Sequence, residues 1–264
     1  MERLRYVARA GGGDPAVVVS ETVEAVRGLA PGPGELVSVC RNLVERHVAC
    51  GPLWWLCARL LSEPDALVTA WDLADEIVED PTADHVVAAL PDDATVLTIG
   101  YPMLAARALA RRGDLHVLAV EAGNASHALI RLLDRNGVEA IDVQPEAMLA
   151  AMAQADLVLL EADACSPSTA LSAIGSALAA AAANASATPV WLVAGRGRRL
   201  PQSYVDAIVR RVSCNERPWE SEFETIPTDR ATNVVGPAGV VTMSPAALGA
   251  ECAAVPELVR PTTT

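Results

Sequence analysis

The chain has 264 residues, 52% hydrophobic and 20% charged, and its 20 basic residues against 33 acidic ones give a formal net charge of -13. All 20 basic residues are arginine, so Schiff-base chemistry, a lysine-anchored pyridoxal phosphate and a P-loop lysine are excluded, because each needs a primary amine. The acidic balance and 3% aromatic content exclude a basic, base-stacking nucleic-acid surface and predict a globular core built from Ala, Val and Leu.

The N-terminal segment MERLRYVARAGGGDP is charged throughout and has no apolar stretch of the secretory kind. Asp14-Pro15 then predicts an N-cap and a first helical position, with Val18, Val19, Val23, Val26 and Leu29 following at helical spacing. Pro31-Gly32-Pro33-Gly34 breaks that helix. Leu36, Val39, Leu43 and His47 mark the inner face of a second, Gly51-Pro52 opens a third carrying Trp54, Trp55, Leu60 and Leu61, and a fourth is expected from about Pro64 to Ile77. His47 on an apolar face suits a hydrogen-bonded core residue better than a ligand, and the two tryptophans suit core and interface.

From about Pro91 the period changes. Thr95–Thr98, Leu115–Val120, Val138–Val143, Leu157–Leu160 and Val190–Ala194 read as strands, separated by helices around Leu104–Ala110, Leu129 and Leu133, Met148–Ala153 and the Ala-rich Leu171–Ala183. Strands alternating with helices predict a parallel sheet covered on both faces. The expected fold is α/β: an N-terminal helical domain, residues 1–88, followed by a Rossmann-like ligand-binding domain, residues 89–264, with a mainly parallel sheet. No apolar run reaches the roughly 20 residues that span a bilayer, so the expected location is cytoplasmic, with Cys40, Cys50, Cys57, Cys165, Cys214 and Cys252 as reduced thiols. There is no CxxC pair and no histidine spacing of metal-site type, so neither metal nor cofactor is expected.

Ligands of such a sheet bind beyond the carboxyl ends of its strands. Gly100-Tyr101 follows the first strand, and Glu121, with Gly123 after it, ends the second at the spacing of an acid that would hold a ribose hydroxyl; with one glycine in place of three, a tight turn with a surface or loop-stabilising carboxylate suits the same residues better. Asp163, beyond Leu157–Leu160, either exchanges protons with its pKa raised by apolar surroundings or caps its own loop. Arg196, Arg198 and Arg199 on a glycine-bearing loop suit a phosphate or carboxylate, or a solvated basic turn. Ser166, Ser168 and Thr169, ahead of the Ala-rich helix, suit an anion at a helix start or an ordinary N-cap.

The order of Val96-Leu97-Thr98, Val120-Glu121-Ala122, Asp156 to Ala164, Ile174-Gly175-Ser176 and Glu222 to Pro227 resembles the family of translation initiation factor 2B alpha, beta and delta subunits, which includes methylthioribose-1-phosphate isomerase and ribose-1,5-bisphosphate isomerase. The resemblance implies a helical domain before a Rossmann-like one, dimerisation through the latter, and in the isomerases a cysteine and an aspartate that move a proton between adjacent carbons of a sugar phosphate. Asp163 falls on that aspartate. Gly100 falls on the cysteine position, Gly123 on an arginine and Ala173 on a lysine that hold phosphate; Arg199 corresponds to a second lysine, and Arg46 with His47 to an arginine of the helical domain. Losing the thiol removes half of an acid/base pair worth about 10²- to 10⁴-fold in rate. Cys165 and Tyr101 are the nearest replacements.

The leading expectation is therefore a homodimeric, non-isomerase relative that binds a small anionic metabolite, a sugar phosphate or nucleotide, through Gly100, Tyr101, Glu121, Gly123, Asp163, Ser166, Ser168, Arg196, Arg199 and Arg46. A second is an aldose-to-ketose isomerase with Asp163 catalytic and a relocated partner. A third is a protein-interaction module.

Overall fold

Five helices precede the first strand in a computed structural model that describes residues 13–123, 125–213 and 217–260; Cys214 and the first 12 residues lie outside the described residues. Helix α1, Pro15–Leu29, begins where the Asp14 carboxylate accepts a hydrogen bond from the Ala16 amide at 2.9 Å, and it ends at Ala30, whose φ of 44° is left-handed. Then follow α2, Pro33–Arg46; α3, Gly51–Ser62; α4, Ala70–Val78; and α5, Thr82–Ala89. The fourth helix starts later than the sequence predicts, because Asp65 adopts φ 58° and its carbonyl closes a turn with the Val68 amide at 2.7 Å. Val19, Val23, Leu43, Val44, Trp54 and Trp55 are fully buried or nearly so and form the core of these helices.

Strands and helices then alternate: β1, Thr95–Ile99; α6, Met103–Leu109; β2, His116–Val120; α7, Ser126–Arg135; β3, Glu139–Val143; α8, Met148–Met152; β4, Leu157–Glu161. After two short strands, β5, Ala164–Cys165, and β6, Thr169–Ala173, come α9, Ser176–Ser186; β7, Val190–Val193; α10, Gln202–Val212; β8, Phe223–Pro227; β9, Asn233–Gly236; β10, Gly239–Thr242; and α11, Pro256–Val259. The main sheet has the order β10-β9-β7-β4-β1-β2-β3, parallel except for the β9–β10 hairpin. Central strands β1 and β4 are apolar on both faces because helices cover both: α8 and α9 through Met148, Met152, Ala179 and Ala183, and α5, α6 and α7 through Val86, Leu109, Leu129 and Leu133.

The Ala-rich helix does not begin at Leu171. Thr169–Ala173 instead pairs antiparallel with Phe223–Pro227, forming a small sheet of order β5-β6-β8, and Gly175 at φ 97° turns the chain into α9. Pairing with a distant strand overrides local helix propensity there.

The two parts of the chain meet tightly. Tyr204, Val205 and Ile208 of α10 and Ala164 and Leu171 of the small sheet pack into the helical core, with the Trp54 and Tyr204 rings 5.4 Å apart. The Gly51 amide, at the start of α3, donates to the Asp163 carbonyl at 3.1 Å, and a Cβ on Gly51 would lie 2.3 Å from that oxygen, so glycine alone fits. Among the described residues no helix is long and apolar enough to cross a membrane.

Candidate functional site in the cleft between the helices and the sheet

The strand order reverses between β1 and β4, so their carboxyl ends diverge into loops that leave a crevice. A cavity of about 280 Å³ opens there, lined by Tyr101, Met103, Glu161, Asp163, Ala173, Ser176 and Arg198 together with Gly13 and Pro15 at the start of α1. A second, of about 300 Å³, continues toward the helices and is lined by Arg46, His47, Cys50, Asp163, Glu222 and Phe223. Asp163, Gly13 and Pro15 line both, so Asp163 stands at the waist of one cleft.

Asp163 is held by its backbone. Its amide donates to the Leu171 carbonyl at 2.8 Å and its carbonyl accepts from Gly51. The carboxylate accepts no hydrogen bond among the described residues. Burial pushes its pKa from 3.8 up to about 7, with Arg198 opposing the rise and Glu161 adding to it. A carboxyl titrating near neutrality at a cavity wall is suited to proton exchange or to hydrogen bonding with ligand hydroxyls.

Beside it, Arg198 is only 4% exposed; Nη1 donates to the Ala162 carbonyl at 2.6 Å and Nη2 to Glu161 Oε1 at 2.8 Å. The other Glu161 oxygen accepts from the Leu104 and Ala105 amides of α6 at 2.7 and 3.0 Å. Desolvation works against the Arg198 charge, but Glu161, Asp163 and Asp80 outweigh it and raise its pKa. Cys50 faces the same cleft as a protonated thiol, its pKa pushed to about 11 by burial.

The sequence-predicted residues divide sharply. Asp163, Tyr101 and Arg46 line the cleft, as does Ala173. Gly100, at φ 61°, makes the bend that delivers Tyr101, and a Cβ there would sit 3.3 Å from that of Ala122; Gly123, at φ 60°, turns the chain after β2. Neither glycine lines the cavities. Glu121 is directed elsewhere: it accepts a hydrogen bond from the Ser126 hydroxyl and lies 3.5 Å from His127 Nδ1, at the ends of β2 and β3.

Ser166 and Ser168 do not precede a helix, since β6 intervenes. Ser166 is buried and bonded to Thr169, while Ser168 donates to Gln202 at 3.0 Å. The α9 start is capped by Glu224, which accepts from the Ala177 amide at 2.7 Å. The basic loop is likewise turned inward. Glu251 takes Arg199 at 2.6 Å, Arg196 at 3.2 Å and the Gly197 amide at 2.8 Å, so Arg196 and Arg199 reach a carboxylate of their own chain and not the cleft. Cys165 is buried in the sheet, with its pKa pushed to about 12 by burial, and does not replace a cleft thiol. Glu161 and Cys50 were missed by sequence reasoning. Glu161 had a signal, an acid closing an apolar strand, whereas nothing around Cys50 predicts its proximity to Asp163.

No protein-family model and no curated protein sequence matches the chain. Solved structures do. The translation initiation factor eIF-2B of Pyrococcus horikoshii OT3 superposes with a TM-score of 0.76 at 15% identity, over 94% of this chain and 98% of that one. The tetrameric eIF2B-beta2-delta2 complex from C. thermophilum gives 0.73 at 17% identity, over 93% and 90%. The eIF2B beta subunit of Chaetomium thermophilum gives 0.67 at 16% identity, over 91% and 85%. At such identities the likeness is one of fold, and the chain has the two-part fold of the eIF2B alpha, beta and delta subunits across nearly its whole length.

Proposed function

We propose that this is an initiation factor 2B-like protein whose cleft binds a small phosphorylated metabolite, a sugar phosphate, in a regulatory role and without isomerase turnover. The observation that carries the reading is that Arg46 and Asp163, neither bonded through its side chain to another described residue, line one cavity of about 300 Å³. A guanidinium at one end suits a phosphate, and a carboxyl at the other suits sugar hydroxyls. A nucleotide is the weaker fit. Its several phosphates would find few amides to add to Arg46, since Ala16 of α1, Leu104 and Ala105 of α6 and Ala177 of α9 already donate to Asp14, Glu161 and Glu224. Gly100 supplies no acid or base after β1, and Cys50 stays protonated at neutral pH. The reading includes a helical unit of residues 1–88, a ligand-binding unit of residues 89–264, a cytoplasmic homodimer and no cofactor.

Calorimetric titration with ribose 5-phosphate tests it. Millimolar or tighter binding, weakened about 10- to 100-fold by Arg46→Ala, is the expected outcome. No heat and no thermal stabilisation from any pentose or hexose phosphate would sink it. One observation favours the second reading, an aldose-to-ketose isomerase: Asp163 titrates near neutrality with Tyr101 on the same wall. Turnover of an aldose phosphate that Asp163→Asn abolishes would decide for that reading. A protein-interaction role is supported by the C. thermophilum eIF2B-beta2-delta2 tetramer as a fold precedent.

A further inference from the structure

We infer that Glu161 determines the specificity of the cleft: by neutralising Arg198 it bars anionic groups from the sheet end, so that a ligand carries its one phosphate at the Arg46 end and presents hydroxyls to Asp163. The assignment of ligand class rests on the sugar-phosphate reading above; the role of Glu161 rests on geometry alone.

Among the described residues the sheet end of the cleft holds one buried cation, Arg198, and a bare guanidinium fork in that position would take a phosphate bidentately. Glu161 already occupies it. One carboxylate oxygen meets Arg198 at 2.8 Å, the other meets the Leu104 and Ala105 amides, and the side chain is 7% exposed, so solvent screens its charge poorly. An incoming phosphate would face Glu161 and Asp163 together against a single guanidinium whose donors are already shared with Glu161 and the Ala162 carbonyl. Like-charge repulsion at that depth costs more than the remaining donors return. At the other end Arg46 is exposed and makes no ion pair among the described residues. Charge is thus available where the cleft meets solvent and cancelled where it meets the sheet, which gives the ligand a direction. A purely structural Glu161, serving as a helix cap and ion-pair partner, would stabilise the fold equally but would leave ligand preference untouched when its charge is removed.

The experiment compares ribose 5-phosphate with ribulose 1,5-bisphosphate, and separately inorganic phosphate, on the full chain and on Glu161→Gln. The wild-type chain is expected to bind the monophosphate about tenfold more tightly than the bisphosphate. In Glu161→Gln that ratio should move about 10- to 100-fold toward the bisphosphate, and millimolar inorganic phosphate should raise the melting temperature of the variant but not of the wild type. Glu161→Asp keeps the charge but withdraws it by one methylene, and it covers the case in which the glutamine variant does not fold; a smaller shift in the same direction is expected. An unchanged ratio in every folded variant, with no gain of phosphate response, overturns the inference. If the wild type binds neither sugar phosphate, the sugar-phosphate reading fails, and the inorganic-phosphate response of the variants alone decides for or against Glu161.

Discussion

Asp163 couples the cleft to pH, and the sign of that coupling follows from its surroundings. Its carboxyl titrates near 7 in the folded chain and near 3.8 when exposed, so between those values the native state holds the extra proton. Stability contributed at this position is therefore full at low pH and is lost as pH rises toward 7. Asp163→Asn removes the penalty. Its gain over the wild type in urea denaturation should be about 2 kcal/mol at pH 8 and less than half of that at pH 5. A gain independent of pH would mean that the carboxyl is not desolvated. The position of Asp163 was legible because an acid just beyond an apolar strand lands at the ligand edge of a parallel sheet. So was the basic loop that carries Arg198, but not which groups stand together. Glu161, Arg198 and Cys50 meet Asp163 only because β4, the loop after β7 and the start of α3 converge, and no spacing along the chain encodes that convergence.

Helices α8 and α9 pack on each other and on the sheet through Met148, Met152, Ala179 and Ala183, while Leu149, Leu178, Ala181 and Ala185 face outward. Neither helix contains a charged residue, in a chain with a net charge of -13. Leu178 is 55% exposed, and Trp219, 76% exposed, lies just before β8, which packs against α9. Such a surface suits a second copy of this chain, because two acidic molecules repel least where the uncharged α8 and α9 meet, with the exposed carboxylates Glu146 and Glu220 left at its margin. Sedimentation equilibrium is expected to give a dimer, and Leu178→Asp a monomer whose unfolding free energy changes by less than about 0.5 kcal/mol at matched monomer concentration. A wild-type monomer at micromolar concentration would rule this face out as an interface. At the same scale, α1 was legible because its cap, its proline and its 3.6-residue pattern agree. β6 was not, since its Leu and Ala residues favour helix and β8, which pairs along its full length, lies beyond α9, β7 and α10.

The helical part and the sheet part share a core, since Tyr204, Val205 and Ile208 of α10 bury against Trp54 and its neighbours, and Arg211 stacks over the Trp54 ring at 5.0 Å. Calorimetric unfolding is expected to show one transition with equal calorimetric and van't Hoff enthalpies, and two resolved transitions would mean that the junction is weak. Hydrophobic periodicity, turn residues and the missing lysine already determined the class of fold, the alternation of strands and helices from β1 to β4 and the absence of amine chemistry, because those properties depend on neighbours in the chain. Whether an arginine is free or already paired depends on groups distant in sequence. Only the tertiary structure therefore decided that Arg196 and Arg199 serve Glu251, that Glu161 neutralises Arg198, and that Arg46 and Asp163 are left to face the cleft.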